Sequence, residues 1–243
     1  MIFLTADDFG LDSENNRGII VGIEEGWLKS VSVIVNRRAS QSALQYLQRQ
    51  KNRILLVGLH FNLTEGKPLT KCPSLVDSRG SFYPLGRLLW RLFWKKINLA
   101  EVSQELEAQY QKLRQVGIPI IHLNSHQHIH FWPPLFKLFV GFAKRKGIVW
   151  VRQGNWQLWW LGPPRLAKWT TALLSWWNSR GRLPRIIFWD FRWSGGLRNL
   201  LKLNQKSPKR YLEIGLHLAQ KAKRFPEREK ELQFWRRVLK ITQ

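Results

Sequence analysis

Six histidines stand in this chain of 243 residues, and four fall within nine positions: His122, His126, His128 and His130. The other two, His60 and His217, each close a short apolar run, and an adjacent acid pair, Asp7 and Asp8, closes another. Imidazole and carboxylate together suit zinc and related divalent ions. A hydrolytic metal needs about three protein ligands, with positions left for water and substrate. It lowers the pKa of its bound water and polarises the group under attack, while a second carboxylate nearby serves as general base. Two neighbouring aspartates fill both roles if one points at the metal and the other at the water. Residues two apart on a strand share a face, so the four clustered histidines cannot all reach one ion. One or two are expected as ligands; the rest would orient ligands, face substrate or serve as structure.

Such groups need a scaffold that presents them together. Strand-like and helix-like stretches alternate through the chain. Strands are expected at Ile2–Ala6, Val31–Asn36, Ile54–Phe61, Pro119–Asn124, Ile148–Arg152, Arg185–Trp189 and Tyr211–His217. Between them, helices are expected from Asp12 or Ser13 to Gly26, at Gln41–Lys51, Leu85–Ile97, from Asn98 to Gly117, and at Pro133–Lys146, Trp156–Arg182, Gly196–Leu203 and Pro226–Lys240. Leu63–Tyr83 reads as a long loop, and a loop of that length in a compact domain is usually functional or a lid. The repeat of strand and helix predicts an α/β fold with a mainly parallel sheet, open or closed into a barrel, in one domain spanning 1–243. The carboxyl ends of such strands form one rim, where active sites collect. Asp7 and Asp8, His60, the histidine cluster and His217 all map to that rim, and this convergence is stronger than any one motif.

The net charge of +24 is unevenly spread. Residues 1–82 hold 10 Lys+Arg against 8 Asp+Glu, whereas residues 83–243 hold 30 against 8. From Lys146 to Arg210 there are 13 basic residues and one acid, Asp190. Such a field attracts polyanions. Nine of the 14 tryptophans lie between Trp150 and Trp193, and the stretch 85–97 mixes Trp90, Phe93 and Trp94 with Arg87, Arg91, Lys95 and Lys96. Basic amphipathic stretches carrying Trp are typical of helices at a membrane surface. Two insertions, about 83–97 and 156–192, are therefore expected to make peripheral contact with anionic membrane. A solvated basic face over core aromatics is the competing reading, and some of the tryptophans would also suit stacking on sugar rings. Nucleic acid is least favoured, because no recognisable binding module is present.

The chain opens without a basic leader or apolar h-region, and no window approaches the roughly 18 apolar residues of a membrane span. The expectation is a cytoplasmic protein, at most peripheral at the inner membrane face. A lone Cys72, in a Lys-Cys-Pro turn, excludes an intramolecular disulfide and is expected to be inert.

Several segments resemble a known family. Thr5-Ala-Asp-Asp-Phe-Gly10 is similar to the opening motif of the YdjC-type chitooligosaccharide deacetylases, a group with hopanoid-associated members. Gly58–Leu69, Asp77–Phe82, His122–His130 and Gly147–Arg152 resemble further family segments in order. The resemblance implies a distorted TIM-like (β/α) barrel and one divalent ion, magnesium or zinc, held by Asp8, His60 and His126. It implies Asp7 as general base and loss of acetyl from an N-acetylglucosamine unit of an oligosaccharide or glycolipid. Asn62, Asn124, His128 and His130 are then expected to touch substrate or orient ligands, and His217 is a candidate general acid or substrate contact. Two departures stand out. Asn124 occupies a position where the family usually has Asp, and the late Glu-Leu-Met-x-His-Pro-Gly motif is present only as Glu213-Ile-Gly-Leu-His217-Leu-Ala. They keep two alternatives open: a metal hydrolase of another amide or a phosphoester, and a basic binding protein with an impaired site. Oligomeric state is left open by the sequence, a homodimer included.

Overall fold

A computed structural model describes residues 2–50, 55–153, 186–190 and 211–240. Seven strands form one sheet: β1 (Ile2–Phe9), β2 (Ser30–Val33), β3 (Leu56–Phe61), β4 (Ile120–Ser125), β5 (Trp150–Val151), β6 (Ile186–Asp190) and β7 (Tyr211–Leu216). Their order is β5-β4-β3-β2-β1-β7-β6 and every pairing is parallel. The sheet is a curled half-barrel of the TIM-like kind. Among the described residues its helices are α1 (Ser13–Glu24), α2 (Ser40–Arg49), α3 (Leu85–Phe93), α4 (Leu99–Arg114), α5 (Pro133–Lys146) and α6 (Pro226–Lys240). The expected helices Trp156–Arg182 and Gly196–Leu203, and the insertion 156–192 apart from β6, lie outside the described residues.

The strand period of two divides the sheet into unlike faces. Ala6, Val31, Val33, Val57, Leu59, Leu123, Leu212 and Ile214 are buried in the apolar core. The alternate positions Thr5, Asp7, Ser30, Ser32, His60, His122, Asn124 and Glu213 are just as buried but polar. Burying such groups requires that they satisfy one another. Thr5 Oγ1 donates to Ser30 Oγ (2.9 Å), and Ser32 Oγ meets His122 Nε2 (3.1 Å) and Asn124 Nδ2 (2.9 Å). Gly58 is required by this lining: a Cβ there would come within 2.0 Å of the His122 ring. That ring stacks on Trp150, with centroids 4.8 Å apart.

Local chemistry sets the element ends. The Asp12 side chain accepts from Asn15 N and starts α1; Asn98 accepts from Ala100 N and starts α4. Gly147, at φ 67, ends α5. Several expected bounds change, among them that of β5, which is Trp150–Val151 and not Ile148–Arg152. Strand β1 runs through the acid pair to Phe9. Strand β2 stops at Val33, short of the expected Asn36. Helix α3 ends at Phe93, ahead of Lys95 at φ 53. Among the described residues, no helix is long and apolar enough to cross a membrane.

Candidate active site

Adjacent strand residues point to opposite faces, so Asp7 and Asp8 would diverge on a regular strand. Asp8 instead adopts φ 66, and the β1–β2 register shifts between Ala6 and Phe9. This local twist brings both carboxylates to one cavity of about 190 Å³ at the carboxyl ends of the strands. His60 arrives from the end of β3, paired in register with Asn124 of β4. His126 is not on a strand. It opens a 3₁₀ segment, His126–Phe131, in which Gln127 and His128 take left-handed backbone angles. The cluster therefore splits by direction: His126 and His128 face the cavity, while His122 and His130 do not line it. His130 is fixed by Ser125 Oγ and the Arg152 carbonyl (3.1 Å). His130 thus lies outside the cavity.

Among the described residues, Asp8, His60 and His126 form a cluster able to hold a metal ion, with ligand atoms within 4.8 Å of one another. His60 Nε2 lies 3.2 Å from Asp8 Oδ1 and His126 Nδ1 lies 2.7 Å from it. The donor set fits a divalent cation, being one carboxylate and two imidazoles. His60 Nδ1 is bound by Asn124 Oδ1 (2.7 Å), which fixes the ring so that Nε2 carries the lone pair toward Asp8. The cavity is also lined by Glu65, His217, Asp190 and Arg228.

Asp7 is wholly buried and clamped by Arg152, whose Nη1 reaches Oδ2 (2.5 Å) and Nη2 reaches Oδ1 (3.0 Å). Arg152 also donates to Glu213 Oε1 (2.6 Å). Burial alone would raise the Asp7 carboxyl, but the Arg152 guanidinium holds it far below the usual range. Burial likewise opposes the Asp8 charge, and His126 with Arg228 (Nη1 to Oδ2, 2.9 Å) overcomes it. For His126, burial works against protonation, yet the Asp8 and Glu65 carboxylates push it up to about 9. His217 is drawn the other way: burial holds it below an ordinary histidine, against the Asp190 carboxylate 4.0 Å away. Asp190 also faces His128 Nε2 (3.6 Å). Cys72 is buried outside this cavity and burial raises its thiol to about 11, as its inert reading requires.

Asn62 does not line the cavity. Its Oδ1 accepts from Thr64 N and Glu65 N, and its Nδ2 donates to the Glu65 carbonyl, so it shapes the turn that delivers Glu65. Sequence reasoning missed Glu65, Arg152, Asp190, Glu213 and Arg228 as members of the network. Asp190 carried a signal, as the lone acid of a basic stretch at the end of an expected strand. Arg228, inside a surface-patterned helix, carried none.

The model of the YdjC-like protein family matches residues 1–237. The chain belongs to this family. The YdjC-like chain is 40% identical over 150 residues to a protein named chitooligosaccharide deacetylase from Yersinia enterocolitica. A protein of the same name from Yersinia pestis is 37% identical over 154 residues. Each match covers 61% of this chain and 57% of the relative, so little more than half of each relative is matched. A crystal structure from Enterococcus faecalis V583, described as that of a cellobiose-phosphate cleavage protein, superposes with a TM-score of 0.70. It shares 21% identity over 96% of this chain and 88% of that one, which shows the fold.

Proposed function

We propose that this YdjC-like protein is a metal-dependent hydrolase that removes acetyl from an N-acetylglucosamine-type sugar. The observation that carries the reading is the placement of Asp7 beside the Asp8–His60–His126 cluster in one cavity. The names of the Yersinia relatives agree with it. A divalent ion, zinc or magnesium, held by Asp8, His60 and His126 would supply Lewis acidity for a carbonyl and acidify a water.

The chain's own groups do the rest. Asp7 is held ionised by Arg152 and is thus always in its proton-accepting form, at the cost of weak basicity. It takes the proton of the attacking water. As the C–N bond to the acetyl carbon breaks, the amine nitrogen takes a proton from His217, and the proton that Asp7 took from water returns His217 to its charged form beside the Asp190 carboxylate. His128 lines the cavity on the other side of Asp190, which supports a contact with substrate. Asn124 supports the reading, since it still accepts from His60 and so replaces the geometric part of an aspartate.

The test is acetate release from N-acetylglucosamine oligomers and from a glycolipid bearing that sugar, together with the bound-metal content. Asp7→Asn and His126→Ala should each abolish release, and His126→Ala should also lower metal content. Release that survives both substitutions would refute the assignment. A metal-loaded protein that cleaves only another amide or a phosphoester would replace the substrate and keep the site.

A further inference from the structure

Helix α3 is apolar on two opposite sides. Leu88 and Leu92 are buried in the core, as an amphipathic surface helix requires. The outward side should then be polar. Instead Trp90, Phe93 and the following Trp94 are 51%, 65% and 58% exposed, and the three rings form one cluster. The same stretch carries Arg87, Arg91, Lys95 and Lys96, and residues 83–97 hold no acid. Lys96 lies over the Trp90 ring, beside the exposed face, while Arg87 and Arg91 lie over the buried Tyr83 ring.

The helix follows the loop leaving the carboxyl end of β3, and it precedes α4, which leads back to the start of β4. Glu101 in the first turn of α4 binds Ser74 N and Oγ of that loop, which holds this corner in place.

We infer that α3 docks the protein on an anionic lipid surface, with Trp90, Phe93 and Trp94 entering the headgroup region and the four cations meeting lipid phosphate. Charge complementarity selects this occupant. A second copy of a chain with net charge +24 would bring two unopposed basic faces together. Aromatic side chains flanked by Lys and Arg match the interface between headgroups and acyl chains. The inference is independent of the hydrolase reading, because docking needs neither substrate nor an active site.

Flotation tests it, using vesicles of phosphatidylglycerol mixed with phosphatidylcholine at about 0.15 M salt, where surface charge is still felt over a Debye length near 8 Å. The variants are the triple change Trp90→Ser, Phe93→Ser, Trp94→Ser and the single change Phe93→Ser; both retain every charge. The wild type should float with the mixed vesicles and far less with phosphatidylcholine alone. The triple variant should bind at least about tenfold more weakly, with an unchanged melting temperature. Binding by the variant equal to the wild type would overturn the proposal, as would no binding by the wild type. Loss of a wild-type dimer or of affinity for soluble N-acetylglucosamine oligomers, with flotation unchanged, would assign the face to another copy or to glycan instead.

Discussion

His60 and Asn124 are partners across neighbouring strands, and their side chains meet at 2.7 Å from Nδ1 to Oδ1. The same amide turns its nitrogen to Asp7 Oδ1 (3.3 Å) and Ser32 Oγ (2.9 Å). Asn124 thus bridges a candidate ligand and the candidate base. An aspartate here would set a second buried carboxylate against Asp7. Asn124→Ala should weaken metal binding by about 10–100-fold, because His60 loses the group that orients it. Asn124→Asp should stay within a few-fold of wild type. Titration of the metal-free protein by calorimetry reads both, and equal affinities for Asn124→Ala and wild type would show that the bridge is irrelevant to the ion.

Arg152 neutralises two buried acids at once, Asp7 and Glu213. Removing one partner of a buried ion pair strands the other charge and costs about 3–5 kcal/mol. Arg152→Met should therefore lower the denaturation midpoint sharply. Arg152→Met combined with Glu213→Gln should recover part of that loss. Failure of the second change to help would mean that Glu213 is not held as a charge.

Glu105 is buried in α4 and accepts from Leu69 N, Thr70 N, Thr70 Oγ1 and Gln109 Nε2. Gln109 in turn clasps the backbone of Asn62 at both N and O. Together they tie the long loop, and hence Glu65, to the body of the protein. Glu105→Ala leaves two amides unpaired, and limited proteolysis between residues 63 and 83 should speed up by roughly tenfold or more. Cleavage at the wild-type rate would show that the loop is held by its other contacts.

His122 gives the pH dependence a defined sign. Burial, with the Arg152 charge, lowers its pKa from 6.5 to about 3. Between those values the unfolded chain binds a proton that the folded one refuses. The contribution is therefore fully present above pH 6.5 and is lost as pH falls toward 3. His122→Phe, which keeps a ring against Trp150, should flatten the stability curve in that window. Gly58→Ala should destabilise at every pH, since its Cβ meets the same ring. Denaturant midpoints from pH 3 to 8 separate the two effects, and a His122→Phe curve as steep as wild type would rule out His122 as the cause.

The sequence made much of this legible because strand ends and ligand residues are local signals. Asp8, His60 and His126 do converge, and alternation of strand and helix predicts the parallel sheet. Directions within the histidine cluster were not legible, because they depend on the left-handed backbone of Gln127 and His128. Nor was the Arg152 clamp, which joins positions 145 residues apart. Asp7 reads as a catalytic acid and Glu213 as an ordinary strand residue until the curl of the sheet brings Arg152 to both.

Asp7 and Asp8 are neighbours in the chain, so the spacing of candidate base and candidate ligand follows the main chain between them. With Asp7 clamped by Arg152, lengthening Asp8 to glutamate would shift the ligand alone. A glycine would relax the backbone but remove the ligand. The relation of the two acids therefore rests on the curvature of one strand, and a change that straightened β1 at this point would part them before any side chain was altered.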